Sequence, residues 1–158
     1  MFRLIAGLIL AFGFVAASFS AARTAPLPAE VQAALKDYLS SADCKKMAGA
    51  PSVKKGALVL SDTRLDYFLI NLENVTCDGH QWFCGATGNC SQLVFATDDL
   101  SAGYNLVFDD SILGLELKIV REKFVLLVHH KSIDCDQEPG TECVKTWNWV
   151  NGKFEESP

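Results

Sequence analysis

The chain of 158 residues carries 19 acidic and 14 basic side chains, so its formal net charge at pH 7 is −5. An acidic surface disfavours nucleic acids and anionic membranes as partners, because both attract basic patches. The same acidity is compatible with a basic partner, and also with a charge that serves solubility alone.

The first 22 residues have the layout of a secretory signal peptide. Arg3 precedes an uncharged run from Leu4 to Ala17, and a stretch of small residues ends at Ala22. The run is shorter than the roughly 20 apolar residues that a membrane-spanning helix needs. We therefore predict cleavage after Ala22, a periplasmic or secreted location, no membrane attachment after cleavage, and a single domain formed by residues 23–158.

After a short extended entry, residues Ala29 to Leu39 are predicted to form a helix. Val31 and Leu35 fall on one face at the 3.6-residue period, so this helix should pack on a sheet. We expect it to continue or restart through Ser40 to Met47 and to end before Pro51, because glycine and proline there prevent continuation.

The rest of the chain has the pattern of strands separated by turns about 8 to 12 residues apart. Leu65 to Leu72 is apolar on both faces, which is typical of a central strand, and the turns include Asp109-Asp110 and Arg121-Glu122. The predicted strands are Ala57–Leu60, Leu65–Leu72, Gln92–Thr97, Tyr104–Phe108, Leu115–Arg121, Lys123–Lys131 and Cys143–Val150, before a short tail Lys153–Glu155. These elements predict an α+β fold that is mainly antiparallel β: a meander sheet with one N-terminal helix, stapled by disulfides.

All six cysteines lie in the predicted mature part, which fits an oxidising compartment. Six cysteines allow 15 pairings. Short loops that contain glycine or proline favour two of the bridges, and the third would tie the end of the helix to the sheet. The predicted bridges are Cys44–Cys77, Cys84–Cys90 and Cys135–Cys143. Zinc is the competing interpretation, but the intervals between the cysteines from Cys77 to Cys90 are not zinc spacings.

Catalytic, cofactor-binding and metal-binding residues are not predicted. The cysteines are assigned to disulfides, and no serine stands in a Gly-x-Ser-x-Gly elbow. His129 and His130 are adjacent on a predicted strand, so their side chains point to opposite faces and do not easily share a metal. A small periplasmic hydrolase stays the alternative, because a cleft that raises the pKa of a carboxyl group leaves no signature in the sequence.

Five residues are candidates for contact with a partner. His80, Trp82 and Phe83 lie between Cys77 and Cys90, where a disulfide would hold aromatic anchors rigidly at the surface; packing of the rings on the sheet is the alternative. Trp147 and Trp149 are two residues apart on one strand, so both rings point to the same face. They belong to the core if the helix covers that face, and form a platform for a sugar or a protein if it is open.

Four segments together resemble small cysteine-containing periplasmic proteins of Gram-negative bacteria. They are Cys44-Lys45-Lys46, Leu65-Asp66-Tyr67-Phe68-Leu69-Ile70-Asn71, Phe83-Cys84-Gly85-x-x-Gly88-x-Cys90 and Cys143-x-x-x-Trp147-x-Trp149-x-Asn151-Gly152-x-Phe154. The resemblance implies a periplasmic location and no particular activity. The segment before the first long strand in that group often looks like an aspartate-glycine calcium loop. Here it reads Asp62-Thr63-Arg64-Leu65-Asp66, without glycine and with an arginine at its centre, and we predict no cofactor.

The acidic charge, small secreted frame and rigid loop are also similar to bacterial periplasmic lysozyme inhibitors, whose targets are basic enzymes with acidic clefts. This similarity implies a basic protein such as lysozyme as a partner. Our leading interpretation is a non-catalytic binding protein with an unknown partner, and lysozyme inhibition is the sharper alternative.

Overall fold

The computed structural model describes residues 26–86, 88–131, 135 and 141–157. The predicted signal peptide and the predicted turn at 136–140 lie outside these residues. The described elements are α1 (Ala29–Ser40), β1 (Met47–Ala48), β2 (Ser52–Leu60), β3 (Thr63–Asn71), β4 (Thr76–Cys77), β5 (Cys90–Thr97), β6 (Asn105–Ile112), β7 (Gly114–Val120), β8 (Lys123–Lys131), β9 (Glu142–Val150) and β10 (Lys153–Glu156). The predicted α+β fold with mainly antiparallel strands is confirmed.

Eight of the strands form two antiparallel sheets of four. Sheet 1 has the order β2-β3-β5-β6 and sheet 2 the order β7-β8-β9-β10, while β1 and β4 pair separately. Within each sheet the strands follow one another as they do along the chain, which is the arrangement of a meander. The predicted meander is therefore present, but it is divided after Ile112 into two sheets.

The two sheets share one apolar core. Sheet 1 contributes Tyr67, Val94 and Phe108, and sheet 2 contributes Leu126 and Phe154. Phe154 lies on β10, which is predicted only as a short tail; the turn before it brings β10 back to pair with β9. We call the buried region between the two sheets the inter-sheet core.

The helix covers the other face of sheet 1. Val31 and Leu35 pack against Phe68 and Phe95, which form the helix-side core. Strand β3 thus has both faces buried, since Tyr67 belongs to the inter-sheet core and its neighbour Phe68 to the helix-side core. The predictions of a central strand and of a helix packed on a sheet are both confirmed.

The predicted continuation of the helix through Ser40 to Met47 is wrong. The helix ends at Ser40, Asp43 has a φ of +48°, and Met47 already lies in β1. Backbone pairing of β1 with β4 and a hydrogen bond from the Lys46 N–H to the Asp78 carboxylate, 2.9 Å long, hold this segment extended. These contacts come from residues about 30 positions away, so helical periodicity in the segment itself could not reveal them.

Two strands extend four or five residues beyond their predicted bounds, for one physical reason. Asp109-Asp110, predicted as a turn, lies inside β6, and β2 begins at Ser52 rather than at Ala57. Both strands are at edges of sheet 1, where charged side chains stay exposed at little cost. The predicted turn at Arg121-Glu122 is confirmed: the two residues have φ values of +47° and +58° between β7 and β8, as tight hairpin turns require.

The three predicted disulfides are present. Their Cα atoms are 5.5, 4.0 and 6.4 Å apart in Cys44–Cys77, Cys84–Cys90 and Cys135–Cys143. Three such bonds fit a protein of an oxidising compartment. Within the part of the chain that the structure describes, no helix has the length and apolar character required to cross a membrane.

Candidate functional site

The candidate site is the Cys77–Cys90 loop, and its first half is a tight turn. Cys77 and His80 exchange backbone hydrogen bonds of 2.8 and 2.9 Å, while Asp78 and Gly79 between them have φ values of +51° and +83°. Two positive φ values are the geometry of a type I′ turn, which glycine at the second position favours. The disulfide from Cys77 to Cys44 fixes the base of this turn.

The second half of the loop is closed by the Cys84–Cys90 disulfide. The Gly85 N–H donates to the Asn89 carbonyl over 2.8 Å, and the Ser91 N–H donates to the Phe83 carbonyl over 2.7 Å. Hydrogen bonds therefore reinforce the disulfide across the loop. Because the loop is closed on both sides of Gln81, Trp82 and Phe83, the backbone of these three residues has little freedom.

The structure separates the two adjacent aromatic residues of the loop. Phe83 is 7% exposed and packs in the helix-side core beside Leu72 and Val75, whereas Trp82 is 63% exposed. Phe83 therefore follows the alternative interpretation, packing on the sheet, and is not an exposed anchor. It fixes the position from which Trp82 projects, and His80 is exposed on the same loop.

Trp147 and Trp149 face the inter-sheet core, not the helix. Trp147 meets Phe108 edge to face at 5.4 Å between ring centroids, and Trp149 meets Phe154 at 5.0 Å. Both tryptophans are half-buried and pack against the inter-sheet core. The face that carries them is therefore covered, but the covering element is sheet 1 and not the predicted helix.

No family model matches the chain, and neither a curated protein nor a solved structure is significantly similar to it. The likeness to periplasmic proteins therefore stays a prediction from the residues. The chemistry of the loop and of the two cores is the basis on which a function can be inferred.

The two histidines of β8 lie in different environments, and two of the candidate metal ligands are bonded to each other. His129 contacts the carboxylate of Glu142, whereas His130 is buried, so the two point to different environments. Among the described residues, one group of three possible metal ligands lies within 4.8 Å, formed by Cys44, Cys77 and Asp78. The two sulfurs are bonded to each other, so neither can ligate as a thiolate.

The segment compared above with a calcium loop holds an ion pair. Arg64 donates two hydrogen bonds, of 2.6 and 2.8 Å, to the buried carboxylate of Asp66. These bonds hold the pKa of Asp66 below its usual value, although burial opposes the shift. Arg64, the residue that departs from the calcium-loop pattern, thus occupies the carboxylate that a cation would need.

We expect this ion pair to contribute to stability only above the acid range. Because the folded-state pKa of Asp66 is lowered, its contribution is fully present above the pKa of an unfolded aspartate and is lost as the pH falls through the folded value. Asp66→Asn should lower the free energy of unfolding at neutral pH by about 1 to 2 kcal/mol. The loss is no larger because the guanidinium of Arg64 is partly exposed to solvent, which weakens the ion pair.

Urea unfolding at several pH values between neutrality and the acid range would measure this effect. The variant should also lose less stability than the parent protein on acidification. Asp62→Asn is the matched control, because Asp62 is exposed and lies in the turn immediately before β3. Equal acid sensitivity of the parent and Asp66→Asn would contradict the assignment.

Proposed function

We propose that the protein is a non-catalytic, exported binding protein that engages a protein partner through Trp82. The observation that carries the proposal is the 63% exposure of this indole on a loop whose backbone is closed by disulfides. Tryptophan is among the residues that contribute most to binding energy at protein interfaces. A loop that is already ordered loses little conformational entropy on binding, so more of the contact energy becomes affinity.

The surroundings of Trp82 support this role. The neighbouring Phe83 is packed in the helix-side core. The loop therefore cannot turn the indole of Trp82 towards the interior unless Phe83 leaves that core. His80, exposed on the same loop, can add a polar contact beside the indole. One aromatic anchor with polar groups around it is the usual anatomy of a small interface.

A periplasmic location agrees with three features: the predicted signal peptide, the disulfides and the resemblance to small periplasmic proteins. The net charge of −5 makes a basic protein the preferred partner, and lysozyme is the first to test. The hydrolase alternative needs a carboxyl group whose pKa is raised in a cleft. Hydrogen bonds lower the pKa of both Asp66 and Asp99, which is the opposite direction.

Trp82→Ala should abolish most of the binding to the partner. We expect affinity to fall by about 30-fold or more, the effect of losing an interface hot spot of about 2 kcal/mol. Leu100→Ala is the matched control, because Leu100 is equally exposed, at 63%, but lies between β5 and β6. Titration calorimetry and lysozyme inhibition assays at low and high salt would measure both variants, and binding to a basic partner should weaken with salt.

These experiments test lysozyme as the partner and the Cys77–Cys90 loop as the binding element independently. If no class of lysozyme binds at micromolar concentration, the lysozyme alternative is rejected, and a pull-down from periplasmic extract still tests the loop. Proteins retained by the parent and by Leu100→Ala, but not by Trp82→Ala, would support it. Identical capture by all three proteins would reject the loop as the binding element.

A further inference from the structure

The edge of sheet 2 that β7 forms has an unpaired backbone. β7 lies at the end of the order β7-β8-β9-β10, and among the residues that the structure describes it pairs with β8 alone. Strand β2 of sheet 1 approaches β7 but forms no ladder with it. The N–H and C=O groups on the outer side of such an edge can pair with another extended chain.

The other three sheet edges carry the usual protection against strand pairing. β2 has the exposed Lys54 and Lys55, and β10 has only four residues. β6 has a β-bulge and the exposed carboxylates of Asp109 and Asp110. Charges, bulges and short length each disfavour pairing with a second chain. β7, in contrast, has seven residues, contains no proline and pairs with β8 without a shift in register.

β7 also exposes apolar side chains. Ile119 and Val120 are 38% and 37% exposed, and Leu113, just before the strand, is 37% exposed. Leu117 is buried in the inter-sheet core, and Leu115 packs against the same core. Two-residue alternation places Ile119 on the inner face with these two leucines. A strand added beside β7 would therefore extend the inter-sheet core and cover part of Ile119.

The sequence of β7 is complementary to itself in the antiparallel direction. When the Leu117 residues of two copies lie opposite each other, Glu116 of each copy lies opposite Lys118 of the other, and Leu115 lies opposite Ile119. Side chains directly opposite each other on antiparallel strands have Cβ atoms about 5 Å apart, so they can form ion pairs and apolar contacts. Glu116 and Lys118 are 58% and 41% exposed at their side chains, so both are available to a second copy.

The charges on β7 select this register. A two-fold pair keeps each face continuous only if residues of the same face lie opposite each other, so its centre has to be a residue. Centred on Glu116, the pair would place two glutamates opposite each other, and centred on Lys118 it would place two lysines opposite each other. Like charges in these positions are destabilising. The register centred on Leu117 avoids both, and it pairs all seven residues of β7.

We propose that two copies of the chain associate through antiparallel pairing of their β7 strands. Each copy contributes the four strands of sheet 2 to one continuous sheet, with a two-fold axis at Leu117. One seven-residue strand pair buries less surface than a standard protein interface, so the dissociation constant should lie in the micromolar range. The dimer carries two Cys77–Cys90 loops.

Sedimentation velocity of the full, oxidised chain, from low micromolar to millimolar concentration, would measure the association. The parent should show a monomer–dimer equilibrium that weakens with salt. Lys118→Glu places a second carboxylate opposite Glu116 twice in the dimer, so it should raise the dissociation constant about tenfold or more. Glu116→Lys should have the same effect, because it places ammonium groups opposite each other.

A mixture of the two charge variants tests the register directly. Lys118→Glu leaves only carboxylates on β7 and Glu116→Lys leaves only ammonium groups, so an equimolar mixture should associate with nearly parental affinity. The double variant Glu116→Lys/Lys118→Glu should dimerise by itself for the same reason. Misfolded variants would not regain association on mixing, so this result distinguishes lost pairing from lost folding.

Lys153→Glu is the matched control, because Lys153 forms a similar surface ion pair, with Glu155, at the opposite edge of the same sheet. It should leave association unchanged. Trp82→Ala should also dimerise like the parent, so this proposal and the loop proposal fail independently.

Four results would overturn the proposal. The parent could stay monomeric up to millimolar concentration, or Lys118→Glu could associate as well as the parent. The mixture of the two charge variants could fail to associate although each variant is folded by circular dichroism. Loss of association in Lys153→Glu would place the contact at β10 instead of β7.

Discussion

Replacement of Phe68 by alanine is expected to lower the free energy of unfolding by about 3 to 5 kcal/mol. The side chain is 2% exposed and lies between α1 and sheet 1, where it meets Tyr104 edge to face at 4.9 Å and Lys55 lies over its ring. Its removal leaves a cavity bounded by a helix on one side and a hydrogen-bonded sheet on the other. Neither wall can collapse freely, so the loss should be near the upper end for a large side chain.

Val59→Ala is the matched control for this prediction. Val59 belongs to the same sheet, but it lies on the edge strand β2 and is 59% exposed, so its truncation should change stability by less than about 0.5 kcal/mol. Urea unfolding followed by circular dichroism would compare the two variants, with m-values checked for a change in the denatured state. A loss below about 1 kcal/mol for Phe68→Ala would show that the helix does not cover this face of sheet 1.

Most features that the sequence predicted correctly have a local signature; the Cys44–Cys77 bridge, between residues 33 positions apart, is an exception. Helical periodicity identified α1, and apolar residues on both sides of Leu65 to Leu72 identified the strand that separates two cores. The turn at Arg121-Glu122 could be recognised because two strand-like segments stand only two residues apart. In each case the pattern that indicates the element lies within a few residues of the chain, although the packing that buries it involves distant residues.

The division of the meander into two sheets could not be predicted in the same way. Nothing between Ile112 and Gly114 differs strongly from the other strand connections, and the Leu113 N–H still donates to the His129 carbonyl over 2.9 Å. The break is decided by packing of inner faces that are far apart in sequence. Similarly, Asp109-Asp110 looks like a turn unless one knows that its strand is at an edge.

The candidate sites show the same limit at the level of single side chains. The sequence placed Trp82 and Phe83 in a constrained loop, but which ring is buried depends on the helix-side core beneath the loop. It also placed Trp147 and Trp149 on one face. Only three-dimensional packing distinguishes the indole N–H that finds Asp98 from the one that finds no described acceptor.

Removal of the Cys44–Cys77 disulfide is expected to cost more stability than removal of Cys84–Cys90. The two bonds join residues 33 and 6 positions apart, and loop entropy then gives losses of about 4 and about 2 kcal/mol, respectively. The double variants Cys44→Ala/Cys77→Ala and Cys84→Ala/Cys90→Ala each remove one bond without leaving a free thiol. Urea unfolding of both variants and the parent would measure the difference.

The order of the two variants should reverse for binding through Trp82. Loss of Cys84–Cys90 removes the closure immediately after Trp82 and Phe83, so the loop must be ordered again at each binding event and affinity should fall about tenfold or more, at small cost to the fold. Loss of Cys44–Cys77 leaves that closure intact, and the two backbone hydrogen bonds between residues 77 and 80 still hold the first turn of the loop. The fraction that stays folded should therefore bind with nearly parental affinity. If both variants lose stability and affinity in the same proportion, the Cys84–Cys90 bond supports the fold alone, and pre-ordering of the loop cannot be the source of affinity.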